Sequence, residues 1–345
     1  MSFEADSLET RGLGGSESAM LNMAFALKMT CPTDEIIVYN NNSGKYKEYK
    51  EVIFKTITDF YNDVKNFDAD VLISIRQPEI FYTIPYIDSK LKILWSQDIC
   101  NETELENLQK NKYGIKNIDI ILANSRFSHD NIKENFPDSH IRILRNGYNS
   151  EWSSDTKKEN IAVYTSTPFR GLNLLADYWV EIYQKCRKYY DINPKLKIFG
   201  GMDLYNQSNH YFKDLYDKLS NLPNVEVFGS VCQRSLYYHL NSAKVMLYPC
   251  TYIETSCMSV LEALANKLWI ITTKSGALSE QVIDDNNGNL IEYSELNNSN
   301  KYRELFIQSA IDSFRNSEKI QEIPYTVSSW DKQSKLLKCL IREKL

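Results

Sequence analysis

The chain has 345 residues, 43% of them hydrophobic and 25% charged, with a formal net charge of −5. That balance describes a folded globular protein with enough length for two cores, and it excludes broad electrostatic capture of nucleic acid or anionic membrane. The seven cysteines lack a CxxC pair and the four histidines lack HxxxH or HExxH spacing, which argues against a disulfide framework or a zinc site. No run approaches the roughly 20 apolar residues of a membrane span, and residues 1–10 lack a signal-peptide pattern. The expected location is therefore cytoplasmic, with peripheral membrane contact left open.

The first eleven residues read as polar, with no convincing strand. Gly12-Leu13-Gly14-Gly15 then leads into a helix marked by Met20, Leu21, Ala24, Phe25 and Leu27. Glycines ahead of a helix let a ligand approach the backbone. Ile36–Tyr39 reads as a strand, followed by an Asn-, Lys- and Tyr-rich polar stretch and a strand at Val71–Ile75. Asp68-Ala69-Asp70 matches a DxD metal-site pattern. Its carboxylates precede the strand, however, whereas ligands sit beyond the carboxyl ends, so it reads as a strand-entry turn.

Ile93–Trp95 is the next apolar run and ends in Ser96-Gln97-Asp98, polar residues at a strand's carboxyl end. Ile118–Ala123 repeats the pattern, with Asn124-Ser125 capping a helix over Arg126–Asn135. Ile141–Leu144 closes this half, and Tyr148–Asn160 reads as a linker.

The alternation restarts with a strand at Ile161–Tyr164, a loop from Thr165 to Gly171 and a helix through Tyr190. Strands follow at Lys195–Phe199, ending in Gly200-Gly201, and at Val225–Phe228, with helices near His210–Leu219 and at Gln233–Asn241. Val245–Tyr248, a polar loop, a short helix carrying Val260, Leu261 and Leu264, and Trp269–Ile271 form one more strand–helix–strand unit. Glu254 in the loop and Glu262 in the helix stand in Glu-x7-Glu spacing, and Ser256 between them is the expected N-cap. Such a helix start offers backbone N–H groups and a positive dipole end to a phosphate. Asn289–Ile291 and helices near Lys301–Asn316 and Ser328–Glu343 finish the chain. The expected class is α/β, with two Rossmann-like domains.

Taken together, the segments GLGGSES (12–18), ILANSRFSHDNI (121–132), RNG (145–147), STPFRGLNLL (166–175), VFGSV (227–231), YPCTYIETSCMSVLEALA (248–265) and SGALSEQV (275–282) resemble the retaining glycosyltransferases of family 4. The resemblance implies a GT-B fold, two Rossmann-like domains facing across a cleft: residues 1–150 on the acceptor side, 151–327 on the donor side, and 328–345 as a helix returning to the N-terminal domain. It implies a nucleotide-sugar donor, UDP- or GDP-linked, an unidentified acceptor, and no metal or separate cofactor. Glu262 would accept hydrogen bonds from the ribose hydroxyls, and Glu254 would hold the donor sugar. Thr255, Ser256, Cys257 and Met258 would present backbone to the diphosphate, and Arg170 would offset the charge building on it. Gly14 and Gly15 would approach from the other domain, Gln97 would line the same site, and Gly200 and Val231 would border the base.

The chain also departs from the family's pattern. The strand that ordinarily precedes the glycine loop has no counterpart here, Gln97 stands where relatives often carry histidine, and no second basic residue accompanies Arg170. A degenerate nucleotide-sugar-binding or partner subunit of the same fold is therefore the alternative expectation.

Overall fold

Short apolar runs become strands and stretches of three-to-four periodicity become helices throughout the computed structural model, which describes residues 2–66, 68–84, 87–99, 108, 112–205, 208–297, 299–315, 324 and 326–345. The chain divides into two units, one of Met1–Ser7, Gly15–Gly147 and Ser328–Leu345, the other of Leu8–Gly14 and Tyr148–Val327.

In the first unit, helix α1 (Gly15–Thr30) precedes a three-stranded sheet of β1 (Ile37–Asn40), β2 (Glu48–Tyr49) and β3 (Val52–Thr56) in the order β1-β3-β2. β3 corrects the reading of this region as one polar stretch: Val52 and Phe54 alternate inward and are buried. Thr56 and Asp59 form a capping box that starts α2 (Ile57–Asp63). Four parallel strands follow, β4 (Ala69–Ile75), β5 (Ser89–Ser96), β6 (Ile120–Ala123) and β7 (Ile141–Ile143), hydrogen-bonded in that order. Asp70 opens β4 on the surface, 2.6 Å from Lys90, at the strand's amino end. Ser125 caps α3 (Arg126–Asn135) through the amide of Ser128 at 2.9 Å.

The C-terminal helix, Trp330–Arg342, also belongs to this unit and packs along α1. Thr30 and Ser334 hydroxyls meet at 2.6 Å, and the Lys338 ammonium donates to the Thr30 carbonyl at 2.8 Å. Trp330 meets Trp95 edge-on, with ring centroids 6.4 Å apart. The first residues are anchored too: Phe3 is buried, its carbonyl accepts from the Asn40 amide at 2.7 Å, and Ser2 bridges Asn41 in parallel.

The second unit is a six-stranded parallel sheet of β8 (Ile161–Tyr164), β9 (Lys195–Phe199), β10 (Val225–Gly229), β11 (Val245–Tyr248), β12 (Trp269–Lys274) and β13 (Gly288–Glu292), in the order β10-β9-β8-β11-β12-β13. β8 and β11 are buried at every position, as befits central strands of a parallel sheet covered on both faces. The covering helices are α4 (Leu172–Tyr190), α5 (Lys213–Ser220), α6 (Gln233–Ser242), α7 (Met258–Ala265) and α8 (Ser299–Arg315). Trp179 of α4 and Tyr302 and Phe306 of α8 are among the largest side chains in this core. From β8 the chain winds outward to β10, then returns to β11 and winds the other way. The reversal lies between β8 and β11, and in such sheets the crevice beyond the carboxyl ends at that point is where ligands bind.

Candidate active site

Two loops leave the sheet at the reversal: Thr165–Gly171 after β8 and Pro249–Cys257 after β11. The first coils into a 3-10 turn, Pro168–Arg170, that ends at Gly171 with φ 104°. A Cβ on Gly171 would lie 1.9 Å from the Pro249 carbonyl oxygen, so only glycine lets the loops touch there. The second loop is pinned by a turn whose Gly276 has φ 53° and whose Ala277 amide donates to the Glu254 carbonyl at 2.7 Å.

These contacts bring Arg170 and Glu254 together. The arginine Nη1 donates to Glu254 Oε1 at 2.8 Å, and the Tyr248 hydroxyl donates to the same oxygen at 2.6 Å. Glu254 is buried and the arginine is 22% exposed, so one end of the pair is dry and the other reaches solvent. The guanidinium lies 4.5 Å above the Tyr252 ring and 5.5 Å from that of Phe169, which fixes its plane. Burial pushes the Tyr248 phenol far above its ordinary range, so it stays a donor.

Helix α7 starts beside this pair, and the cap differs from expectation: Cys257, not Ser256, is the N-cap, and its side chain makes no cap hydrogen bond. A thiol is a weak acceptor, so the helix's first N–H groups are not consumed by a side chain of their own cap. The Ser259 hydroxyl instead donates to the Thr165 carbonyl at 2.5 Å, tying the helix start to the exit of β8. Thr165 and Thr167 each bury a hydroxyl oxygen with no hydrogen-bond partner among the described residues. The Cys257 thiol is buried and pushed well above its usual range, which removes it as a nucleophile.

Glu262, in the second turn of α7, is buried and bonds to the Gln233 amide nitrogen. Gln233 Oε1 accepts from the Asn149 side chain at 3.0 Å, and the Asn149 backbone N–H donates to the Tyr237 hydroxyl at 3.0 Å. Burial raises the Glu262 carboxyl to about 7, a rise the Gln233 bond partly offsets.

Of the other residues singled out in the sequence, Gly14, Gly200, Val231, Thr255, Ser256 and Met258 lie in this unit, whereas Gly15 and Gln97 lie in the first. Gly200, at φ 111°, accepts from the Tyr216 hydroxyl at 3.0 Å. A Cβ on Gly12 would meet Ser230 Cβ at 3.0 Å and the Val231 carbonyl oxygen at 3.3 Å, so the glycine loop runs against the exit of β10. Gln97 is locked in a buried amide cluster, accepting from Asn146 at 2.9 Å and Asn124 at 3.2 Å.

Sequence reasoning missed Tyr248, Gln233 and Asn149 near the glutamates, and Arg76 in the first unit. Arg76 pairs with Asp98 at 2.6 Å from the carboxyl ends of β4 and β5. Its position directly after an apolar run was the available signal. Among the described residues, no three His, Cys, Asp or Glu side chains converge as a metal site.

Residues 155–319 match the family model described as Glycosyl transferases group 1. An uncharacterized glycosyltransferase of Methanocaldococcus jannaschii is 25% identical over 199 residues, 57% of this chain and 51% of that protein. The match thus spans about half the length of that relative. Among solved structures, sucrose-phosphate synthase from Thermosynechococcus elongatus superposes with a TM-score of 0.71 at 11% identity, over 99% of this chain and 97% of that one. Anabaena HepE in complex with UDP-glucose gives 0.65 at 13%, over 96% of each chain. The lipopolysaccharide outer core galactosyltransferase WaaB gives 0.65 at 15%, over 97% of each. The chain therefore has the α/β GT-B fold, and the match to the glycosyl transferases group 1 model falls within its second unit.

Proposed function

We propose that this GT-B protein is a retaining glycosyltransferase of family 4, moving a sugar from a nucleotide-sugar donor to a hydroxyl acceptor without a metal. The observation that carries the reading is the Arg170–Glu254 pair at the sheet reversal, beside the start of α7. A sugar diphosphate needs three things there: cationic and N–H donors for the phosphates, acceptors for the sugar hydroxyls, and an acceptor for the ribose. Arg170 with the α7 start, Glu254, and Glu262 supply them in that order. HepE, a structural relative, is described in complex with UDP-glucose, which favours a UDP-linked donor over a GDP-linked one.

In this mechanism the bond from the anomeric carbon to the phosphate oxygen breaks while the acceptor oxygen bonds on the same face. The acceptor's proton passes to the departing phosphate. Arg170 and the α7 dipole stabilise the growing diphosphate charge, and Glu254, fixed by Tyr248, orients the sugar. Proton NMR of the product's anomeric signal tests the reading: retained configuration agrees with it, and inversion contradicts it. The competing subunit reading draws on Arg170 being the only basic side chain between Thr165 and Gly171. It predicts nucleotide binding without turnover.

A further inference from the structure

Gln233 opens the buried stripe of α6. It stands with Tyr237 and Leu240 at the first, fifth and eighth positions of that helix, the spacing of a single inward face. Packing alone would favour an aliphatic side chain there, because a buried amide is costly unless its polar groups are bonded. Here both ends are engaged. Gln233 Nε2 donates to Glu262 Oε1, and Gln233 Oε1 accepts from Asn149 Nδ2 at 3.0 Å. Asn149 is placed in turn by its backbone, whose N–H donates to the buried Tyr237 hydroxyl at 3.0 Å.

An amide donates from one end only, so its neighbours decide which way it points. The Asn149 N–H claims the Gln233 oxygen and turns the amide NH₂ toward Glu262. That bond also decides which glutamate oxygen is taken. Oε1 is held, whereas Oε2 makes no hydrogen bond among the described residues and is not sealed from solvent. Burial pushes the Glu262 carboxyl up to about 7 and the Gln233 bond pulls it down, so the amide favours the ionised form, which offers acceptors only.

We propose that Gln233, oriented by Asn149, is a positioning residue that aims the open edge of Glu262 at the vicinal 2′- and 3′-hydroxyls of the donor's ribose and thereby selects ribonucleotides over 2′-deoxyribonucleotides. The proposal rests on the assignment of Glu262 to the ribose made above. Two neighbouring hydroxyls match a carboxylate whose plane is fixed, and a carboxylate free to rotate gives up one of the two bonds.

Calorimetric titration near neutral pH tests it, with UDP, GDP and their 2′-deoxy forms added to wild type, Gln233→Met, Asn149→Ala and Asn149→Asp. Wild type should bind its ribonucleotide about tenfold or more tightly than the 2′-deoxy form, because a site built for a hydroxyl rejects the analogue lacking it. Gln233→Met keeps the stripe filled and should cut that preference to within about twofold, chiefly by weakening the ribonucleotide. Asn149→Asp keeps the side chain's shape but offers only acceptors, so it turns the Gln233 amide and points its oxygen at Glu262. Asn149→Ala merely removes a partner. Asn149→Asp should therefore lose more of the ribose preference than Asn149→Ala, whereas a packing role gives the reverse order. If Gln233→Met does not fold, that order decides alone. Nucleotide binding by wild type with no ribose preference overturns the proposal and leaves the donor reading standing. So does an unchanged preference in folded Gln233→Met, or a larger loss in Asn149→Ala than in Asn149→Asp. A wild type that binds no nucleotide overturns the donor reading, and the proposal falls with it.

Discussion

Arg170 and Glu254 are 84 positions apart and meet at 2.8 Å, each delivered by a loop from one of the two strands that flank the sheet reversal. Under the proposed mechanism the pairing gives each residue two tasks. Glu254 would hold the guanidinium as well as the sugar, and Arg170, its plane set by the Tyr252 ring, would serve both Glu254 and the diphosphate.

Arg170→Ala should lower kcat by about 10²–10³-fold, the usual loss when a positioned donor to developing charge is removed. Arg170→Lys should recover only part of that, because a point charge cannot serve Glu254 and a phosphate in the same fixed fork. Steady-state kinetics of donor hydrolysis or transfer provide the check; a lysine variant equal to wild type would contradict the two-task account.

Glu262 makes the donor-free protein sensitive to pH. Its carboxyl titrates near 4.5 when unfolded and about 7 when folded. The neutral form is therefore favoured by folding, and its contribution is fully present below about 4.5 and lost as pH rises to about 7. The shift corresponds to stability on the order of 3 kcal/mol. Thermal unfolding from pH 4 to 8 should show this relative decline in wild type and not in Glu262→Gln. Because ribose hydroxyls donate best to the carboxylate, nucleotide binding near pH 6 should release a proton, seen as a buffer-dependent enthalpy. Identical enthalpies in buffers of different ionisation heat would count against it.

Gly276→Ala should damage the site through the backbone. A Cβ there would lie 2.1 Å from the Glu254 carbonyl oxygen, at φ 53°. Shifting that turn moves Glu254, so the variant should lose activity along with roughly 1–3 kcal/mol of stability. A variant with wild-type kcat and Tm would show that the loop is held by something else.

The cysteines of the second-unit core should be chemically silent. Burial pushes the Cys250 thiol up to about 12 and the Cys186 thiol to about 11, whereas Cys339 is exposed. Alkylation at pH 8, mapped by peptide mass, should modify Cys339, leave Cys186, Cys250 and Cys257 untouched, and spare activity. Loss of activity tracking alkylation of Cys257 would reopen a nucleophilic role.

Much of the second unit was legible because its central strands, Ile161–Tyr164 and Val245–Tyr248, are buried at every position and its others keep an apolar or alternating run. Ile161–Tyr164 and Lys195–Phe199 appear in the sequence as apolar or alternating runs with the bounds the structure gives. The first unit was harder. β3 was passed over because Val52, Ile53 and Phe54 stand among tyrosines, lysines and glutamates, and only pairing with β1 makes them a strand. Ser256 looked like the better cap by propensity, yet the chain enters the helix one residue later, where Cys257 can be buried. The Arg170–Glu254 pair and the Asn149–Gln233–Glu262 chain join residues with no local pattern between them. Long-range contacts of that kind are set by topology and cannot be read from periodicity.

Calorimetric titration of the purified chain with UDP, GDP and ADP, with and without magnesium and repeated on Glu262→Ala, tests the central claim most directly. The account predicts saturable binding of UDP, unchanged by magnesium and lost in the variant. A folded protein that binds none of the three nucleotides would contradict it.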